Sequence, residues 1–382
     1  MGYREDYKQV ISKYLSTDPE NVFLYWKGRV ALYALLKAAG IGEGDEVILS
    51  GLTCVVVPNA VKYLGARPVY VDVNIETYNP VASKYKEAIS PKTRVVIIQN
   101  TFGLSSEVEE IVNLARANNL ITIEDCTHGF GGFYRNKPNG TYCDAAIYST
   151  QWNKPFSTGI GGFCLVNNLV LHEKLISVNK HLVKPGLLTD FLLSALLVGR
   201  KRLINNRSFW LMRSVYRKLS KLGVVIGSSQ REELLGTHIP KDYFRGASIV
   251  QVKQGLKNIS ELDKLIAKRK ESARIYTDFL KLNNKKIVPE YVWNDHSFLV
   301  YPILVKHREE FNKLAENAKI GIGDWFISPL HPVKSCFEIW DLDDKNVPNA
   351  SYLSKHLVNL PTIVNNINGV LGFLKNNIEN II

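Results

Sequence analysis

The sequence predicts an α/β fold with a mostly parallel sheet covered by helices, followed by a smaller α+β domain. Three observations carry this. Between about Val30 and Gly162, short runs rich in Val and Ile alternate with stretches of helical periodicity, the pattern of strands joined by crossover helices. At 382 residues the chain exceeds what one core commonly supports, so two domains are expected. With 46% hydrophobic and 22% charged residues it has enough apolar surface to bury and lacks the composition of a disordered chain.

Taken in order, "ALYALLKAAGI" has apolar residues at helical spacing. "DEVILS", "RPVYVDV", "TRVVIIQ", "LITIED" and "DAAIYST" read as buried strands, and "SSEVEEIVNLARANN" as an amphipathic helix between two of them. After Gly162 the texture changes. "LLTDFLLSALLVG" is apolar, and a basic stretch follows it. Residues Gly246 to Phe279 form one long helical pattern, "SFLVYPILV" reads as a strand and "REEFNKLAENAKIGI" as a helix. These features divide the chain into a large domain over 1–240, with an insertion at about 170–240, and a small domain over 241–382.

The net charge is +12. Much of it has one address, because between Asp190 and Glu232 the chain carries Arg200, Lys201, Arg202, Arg207, Arg213, Arg217, Lys218, Lys221 and Arg231 and no acidic residue. The five cysteines are scattered, without the CxxC spacing of a zinc or redox site, so free thiols and no metal are expected. The charged start, "MGYREDYKQVISKY", has no apolar leader segment, which points to a cytoplasmic setting.

Open α/β sheets bind ligands beyond the carboxyl ends of their strands, where this chain places Thr53, Asn100, Asp125 and Ser149. Asp125 closes an otherwise apolar strand, and a buried carboxylate needs a cation or hydrogen-bond donors. A protonated heterocyclic nitrogen would serve, and so would a helix N-cap role for the aspartate. Lys154 lies between Trp152 and Pro155–Phe156, ahead of a "GIGG" turn. A lysine acts as a nucleophile only where its surroundings favour the neutral amine; the plain alternative is a lysine at a loop edge.

The run "TIEDCTHGFGGFYRNKPNGTYCDAAIYSTQWNKPFSTGIGGF" resembles the core signature of the DegT/StrS-type sugar aminotransferases, fold-type I enzymes that use pyridoxal 5'-phosphate (PLP). "GEGDEVILSGLTCVVVPNAVKYLGARPVYVDVNIETYN", "ISELDKLIAKRKESARIY" and "PNASYLSKHLVNLPT" extend the resemblance over most of the chain except about 170–240. The resemblance implies that Lys154 holds the cofactor aldehyde as a Schiff base, that Asp125 partners its pyridine nitrogen and that His128 lies against its ring. It also implies that Ser149 binds its phosphate. The family's small hydroxyl residue in the early phosphate loop is Arg29 here, followed by Val30. Arg29 is either a stronger phosphate ligand or points away and leaves the backbone amides to bind. Cys54, after Thr53, stands where the family has a stacking aromatic ring, leaving that task to His128 or Trp152. Tyr243 and Arg245 fall near a substrate-lining segment. Trp325 and His331 fall where C-terminal residues either close over the substrate or simply pack.

The implied activity is transfer of an amino group, with glutamate as donor, to a nucleotide-linked keto sugar in amino-sugar or polysaccharide biosynthesis, by a homodimer. Alternatives are the same chemistry on a lipid-diphosphate-linked sugar, and another PLP reaction such as sugar dehydration, which the retained lysine disfavours. A non-catalytic nucleic-acid-binding regulator is a further alternative, but no helix-turn-helix or zinc module is present and only Phe209, Trp210 and Tyr216 are interleaved with the basic residues. The basic insertion admits three readings: steering of a diphosphate, peripheral membrane contact through about 187–221, or packing.

Overall fold

The computed structural model describes residues 2–203 and 231–382. The cations from Arg207 to Lys221, and Phe209, Trp210 and Tyr216, lie outside the described residues.

A seven-stranded sheet forms the frame. Its members in chain order are β1 (Val22–Tyr25), β2 (Glu46–Ser50), β4 (Arg67–Val71), β5 (Thr93–Gln99), β6 (Ile121–Asp125), β9 (Ala145–Ser149) and β10 (Gly162–Val166), and three two-residue strands intervene as β3 (Thr53–Cys54), β7 (Phe133–Tyr134) and β8 (Lys137–Pro138). The spatial order is β1-β10-β9-β6-β5-β2-β4. The five strands from β9 to β4 run parallel, and β10 and β1 close one edge antiparallel. Neither antiparallel strand carried the Val/Ile signal: β1 is "VFLY" and β10 is "GFCLV". The five parallel ones fall where their apolar runs predict them, because a strand covered on both faces needs an unbroken run.

Helices α1 (Tyr3–Leu15), α2 (Gly28–Ala38), α3 (Val56–Lys62), α4 (Ala82–Ala88), α5 (Val108–Ala117), α6 (Leu169–Asn179) and α7 (Leu187–Leu203) belong to the first half. Helix α2 is buried on nearly every side, consistent with its Ala- and Leu-rich sequence, and packs with Val47, Val95, Ile123 and Ile147 of the sheet.

The long periodic stretch after Gly246 is two helices, α9 (Ile249–Ile259) and α10 (Leu262–Leu282), preceded by the short α8 (Arg231–Leu235). Ser248 and Gln251 form a reciprocal capping box that starts α9. The break at Ser260–Glu261 has a packing reason. Val252 and Ile259 share a core with Tyr7 and Ile11 of α1, whereas Ala273, Tyr276 and Leu280 enter a second core. In that core β11 (Val300–Leu304) pairs with β13 (Leu357–Pro361) beneath α11 (Arg308–Asn317) and α13 (Ile367–Asn376).

Several contacts tie the halves together, among them Trp340 Nε1 donating to Asn59 Oδ1 at 2.6 Å and a short strand ladder. The two-residue β12 (Leu330–His331), which precedes α12 (Pro348–His356), pairs parallel with β3, setting His331 beside Cys54. All five cysteines are free thiols. Among the described residues no helix is long and apolar enough to cross a membrane.

Candidate active site

The carboxyl ends of β6 and β9 and the amino end of α2 meet at one place. Side chains alternate along a strand, so on β6 Glu124 and Asp125 face opposite ways. Glu124 turns inward, where Asn100 Nδ2 and the Gly140 amide donate to its two carboxylate oxygens, both at 2.8 Å. Asn100 was expected near the substrate; it is instead fully buried and serves Glu124 and the Cys126 sulfur, because a buried carboxylate must be met by donors.

Asp125 is 4% exposed and accepts the Thr127 amide at 3.0 Å. Burial pushes its pKa up, while the Thr127 hydrogen bonds and the charge of Lys154 pull it down. It forms no ion pair among the described residues. Lys154 keeps part of its stem exposed, but its Nζ lies 4.6 Å from the centre of the Trp325 ring. Loss of hydration lowers its pKa to about 8, against the opposing pull of Asp125. The indole contact and the loss of hydration favour a functional lysine over one at a loop edge.

A wall of rings faces the amine. His128 is buried and stands edge-on to Trp325 at 5.0 Å, and His331 lies 4.6 Å from the same indole. The His128 Nδ1 accepts the amide of Phe102 at 3.2 Å, which leaves its proton on Nε2. Phe102 holds a left-handed backbone, φ 59°, as it presents that amide. Burial lowers the pKa of His128 well below its ordinary range and that of His331 to about 4, so both rings are neutral. Trp325 is held by a residue the sequence did not single out. Arg308 donates from Nη1 to the Phe326 carbonyl at 2.6 Å and from Nη2 to the Asp324 carbonyl at 3.0 Å.

Helix α2 begins against the sheet. A Cβ on Gly162 would sit 2.2 Å from the Gly28 nitrogen, and one on Gly28 would sit 3.2 Å from Ser149 Cβ. Glycine at both positions therefore lets the helix start dock beside the Ser149 hydroxyl. Gly159, in the turn before, has φ +87°, which glycine adopts without a Cβ penalty. A helix N-terminus beside a hydroxyl suits a phosphate. The Val30 amide is already taken by Lys27 O at 3.1 Å and its side chain is buried, so Val30 shapes the turn.

Arg29 turns away from this cradle. Its Nη1 bonds Glu233 Oε1 of α8 at 2.7 Å, both side chains being buried, which leaves phosphate contact to the backbone and Ser149. Glu233 is 204 residues distant, and no local pattern marked it. The Cys54 thiol lies within electrostatic reach of Arg29, Lys154 and Asp125, and burial raises its pKa.

Other expected residues pack. Thr53 Oγ1 donates to Gln99 Oε1 at 2.7 Å. Tyr243 is buried against Tyr33 and Tyr63 and donates to the Arg29 carbonyl at 3.2 Å. Arg245 pairs with Asp242 at 2.8 Å. Trp152 lies under Arg200, 4.4 Å from its ring centre, and against Gly159, away from the ring wall. Trp325 and His331, for which packing was the slightly favoured alternative, lie beside Lys154 and His128.

A lone buried carboxylate, a desolvated lysine and a phosphate-suited helix start fit PLP. The fold and this lysine-centred site define a PLP-dependent transferase of the α/β class. The chain belongs to the DegT/DnrJ/EryC1/StrS aminotransferase family, whose sequence model matches residues 5–201 and 249–368. It is 40% identical over 149 residues to the GDP-perosamine synthase of Escherichia coli O157:H7, a match covering 39% of this chain and 41% of that protein. It is 25% identical over 338 residues, 87% of this chain and 77% of the relative, to a pleiotropic regulatory protein of Geobacillus stearothermophilus. A DegT DnrJ EryC1 StrS aminotransferase from Brucella abortus superposes with a TM-score of 0.76 at 20% identity, over 98% of this chain and 90% of that one.

Proposed function

We propose that this chain moves an amino group from glutamate to the keto group of a nucleotide-linked sugar, in amino-sugar or polysaccharide biosynthesis. The observation that carries the reading is a desolvated Lys154 amine, 4.6 Å from the centre of the Trp325 ring and within electrostatic reach of the buried Asp125 that ends β6. The partial match to a GDP-perosamine synthase supports a nucleotide-linked substrate. PLP, when bound, supplies an electron sink for carbon–nitrogen chemistry.

The residues divide the work. Asp125 would hold the pyridine nitrogen in its protonated form, and Ser149 with the start of α2 would hold the phosphate. Lys154 would hold the aldehyde in the resting enzyme and, once displaced, take a proton from the substrate carbon and return it. A pKa near 8 suits both directions close to neutral pH. His128 and Trp325 bound the space and keep water from the amine. In this reading the active species is a homodimer in the cytoplasm.

One observation favours a second carrier. The exposed apolar side of α7 would suit a sugar presented on a lipid diphosphate at a membrane surface. The experiment is an absorption spectrum of the purified protein before and after borohydride, wild type against Lys154→Ala, followed by assay of nucleotide-linked keto sugars for an amine product. Absence of a reducible chromophore in the wild type would defeat the proposal.

A further inference from the structure

Helix α7 carries hydrophobic residues on two opposite sides. The docked side is defined by Asp190, which accepts the Ser248 hydroxyl, by fully buried Leu193, by Leu197 near Gly159 and by Arg200 over Trp152. At about 100° per residue these four positions cluster on one face. Leu188, Phe191, Leu192, Ala195 and Val198 fall on the face about 170° away, and all five are exposed. Phe191 is 68% exposed and Leu188 71%, with Leu187 at the helix start reaching 89%. A contiguous apolar stripe of this kind marks a surface that is covered in use.

Charge identifies the cover. Lys180 and Lys184 before the helix and Arg202 at its end are exposed. The one acidic residue of the helix, Asp190, is on the docked side and bonded. In sequence, Arg207, Arg213, Arg217, Lys218 and Lys221 follow with no acidic residue before Glu232. A second copy of the chain is a poor partner, because two-fold pairing of this face on itself would bring like charges together. An anionic bilayer surface meets both features. A helix of 17 residues is about 25 Å long, short of a ~30 Å hydrocarbon core, and its cations suit lipid headgroups.

We propose that the outer face of α7 lies in the interface of an anionic membrane, with Leu188, Phe191 and Val198 entering the acyl boundary and the flanking Lys and Arg residues meeting the headgroups. This surface is independent of the reaction the site performs.

The test is flotation of the full chain with vesicles of phosphatidylcholine alone or mixed with phosphatidylglycerol, at low and high salt. The expected result is flotation with the anionic vesicles that weakens in high salt. The triple variant Leu188→Ser/Phe191→Ser/Val198→Ser should lower the bound fraction about tenfold or more, with cofactor absorbance unchanged. The single variant Phe191→Ser and the charge variant Lys180→Gln/Lys184→Gln should each lower it less, and they decide the matter should the triple variant misfold. No flotation of the wild type with phosphatidylglycerol vesicles at low salt overturns the proposal. Equal flotation of wild type and the variants overturns it too, as does a variant that only changes oligomeric state by light scattering.

Discussion

The carboxyl end of the sheet and the outer face of α7 break opposite rules of globular structure. At the first, a carboxylate and an amine are drawn out of water. At the second, large apolar side chains are left in it. Each arrangement costs free energy in the chain alone, and each is explained by something that arrives later. The difference lies in how much the missing partner is specified. Hydrogen bonds and charges are directional, so in the proposed reading Asp125, Ser149 and Lys154 together specify a small molecule with a protonated ring, a phosphate and an aldehyde. Apolar contact has no direction, so the α7 stripe names its partner only through the charges around it.

The largest expected effects test the buried pair. Lys154→Ala should abolish the borohydride-reducible chromophore and lower turnover by about three orders of magnitude or more. Asp125→Asn keeps the shape and removes the charge; turnover should fall about a hundredfold with weaker cofactor retention, read by dialysis and absorbance.

Next in size is the buried ion pair that positions the start of α2. Glu233→Gln removes the carboxylate charge beside the buried Arg29 guanidinium and should cost about 3 kcal/mol in denaturant stability, whereas an exposed pair such as Lys84 with Glu87 should cost about 0.5 kcal/mol or less.

A pH effect sharpens the comparison further. The folded-state pKa of Lys154 is lowered to about 8 from 10.5, so between these values the unfolded chain binds more protons and stability of the cofactor-free protein should rise with pH. Lys27 at the head of α2 is lowered to about 8 as well. Thermal melts of Lys154→Met should therefore lose part of that slope and keep the rest. The smallest effect belongs to the other region: Phe191→Ser should change the melting behaviour of the free protein little, within about 0.5 kcal/mol, since the ring is 68% exposed there.

How much of this was legible in sequence follows the range of the interaction. "TRVVIIQ" became β5 residue for residue, and "LITIED" ended on Asp125 as its apolar run implied. The proposed roles of Lys154, Asp125, His128 and Ser149 could be read locally because all four fall within one stretch of 30 residues. Glu233 on Arg29, Arg308 behind Trp325 and the two-residue pairing of β3 with β12 were not, because each joins segments whose local sequences carry no mark of the other. Asn100 was misread for a related reason: position at a strand end does not reveal which carboxylate its amide will serve. The single periodic stretch after Gly246 hid a break, since both helices keep apolar spacing while facing different cores.

The ladder between β3 and β12 has a consequence for biosynthesis. The indole roof over Lys154 comes from residue 325, and the hydrogen bonds that seat it reach Ser354. A nascent chain halted in its first two thirds would carry the reactive lysine uncovered, without the ring that dries it. Catalytic competence therefore awaits synthesis of residues 325–354, and products that terminate before them should be inert toward substrate.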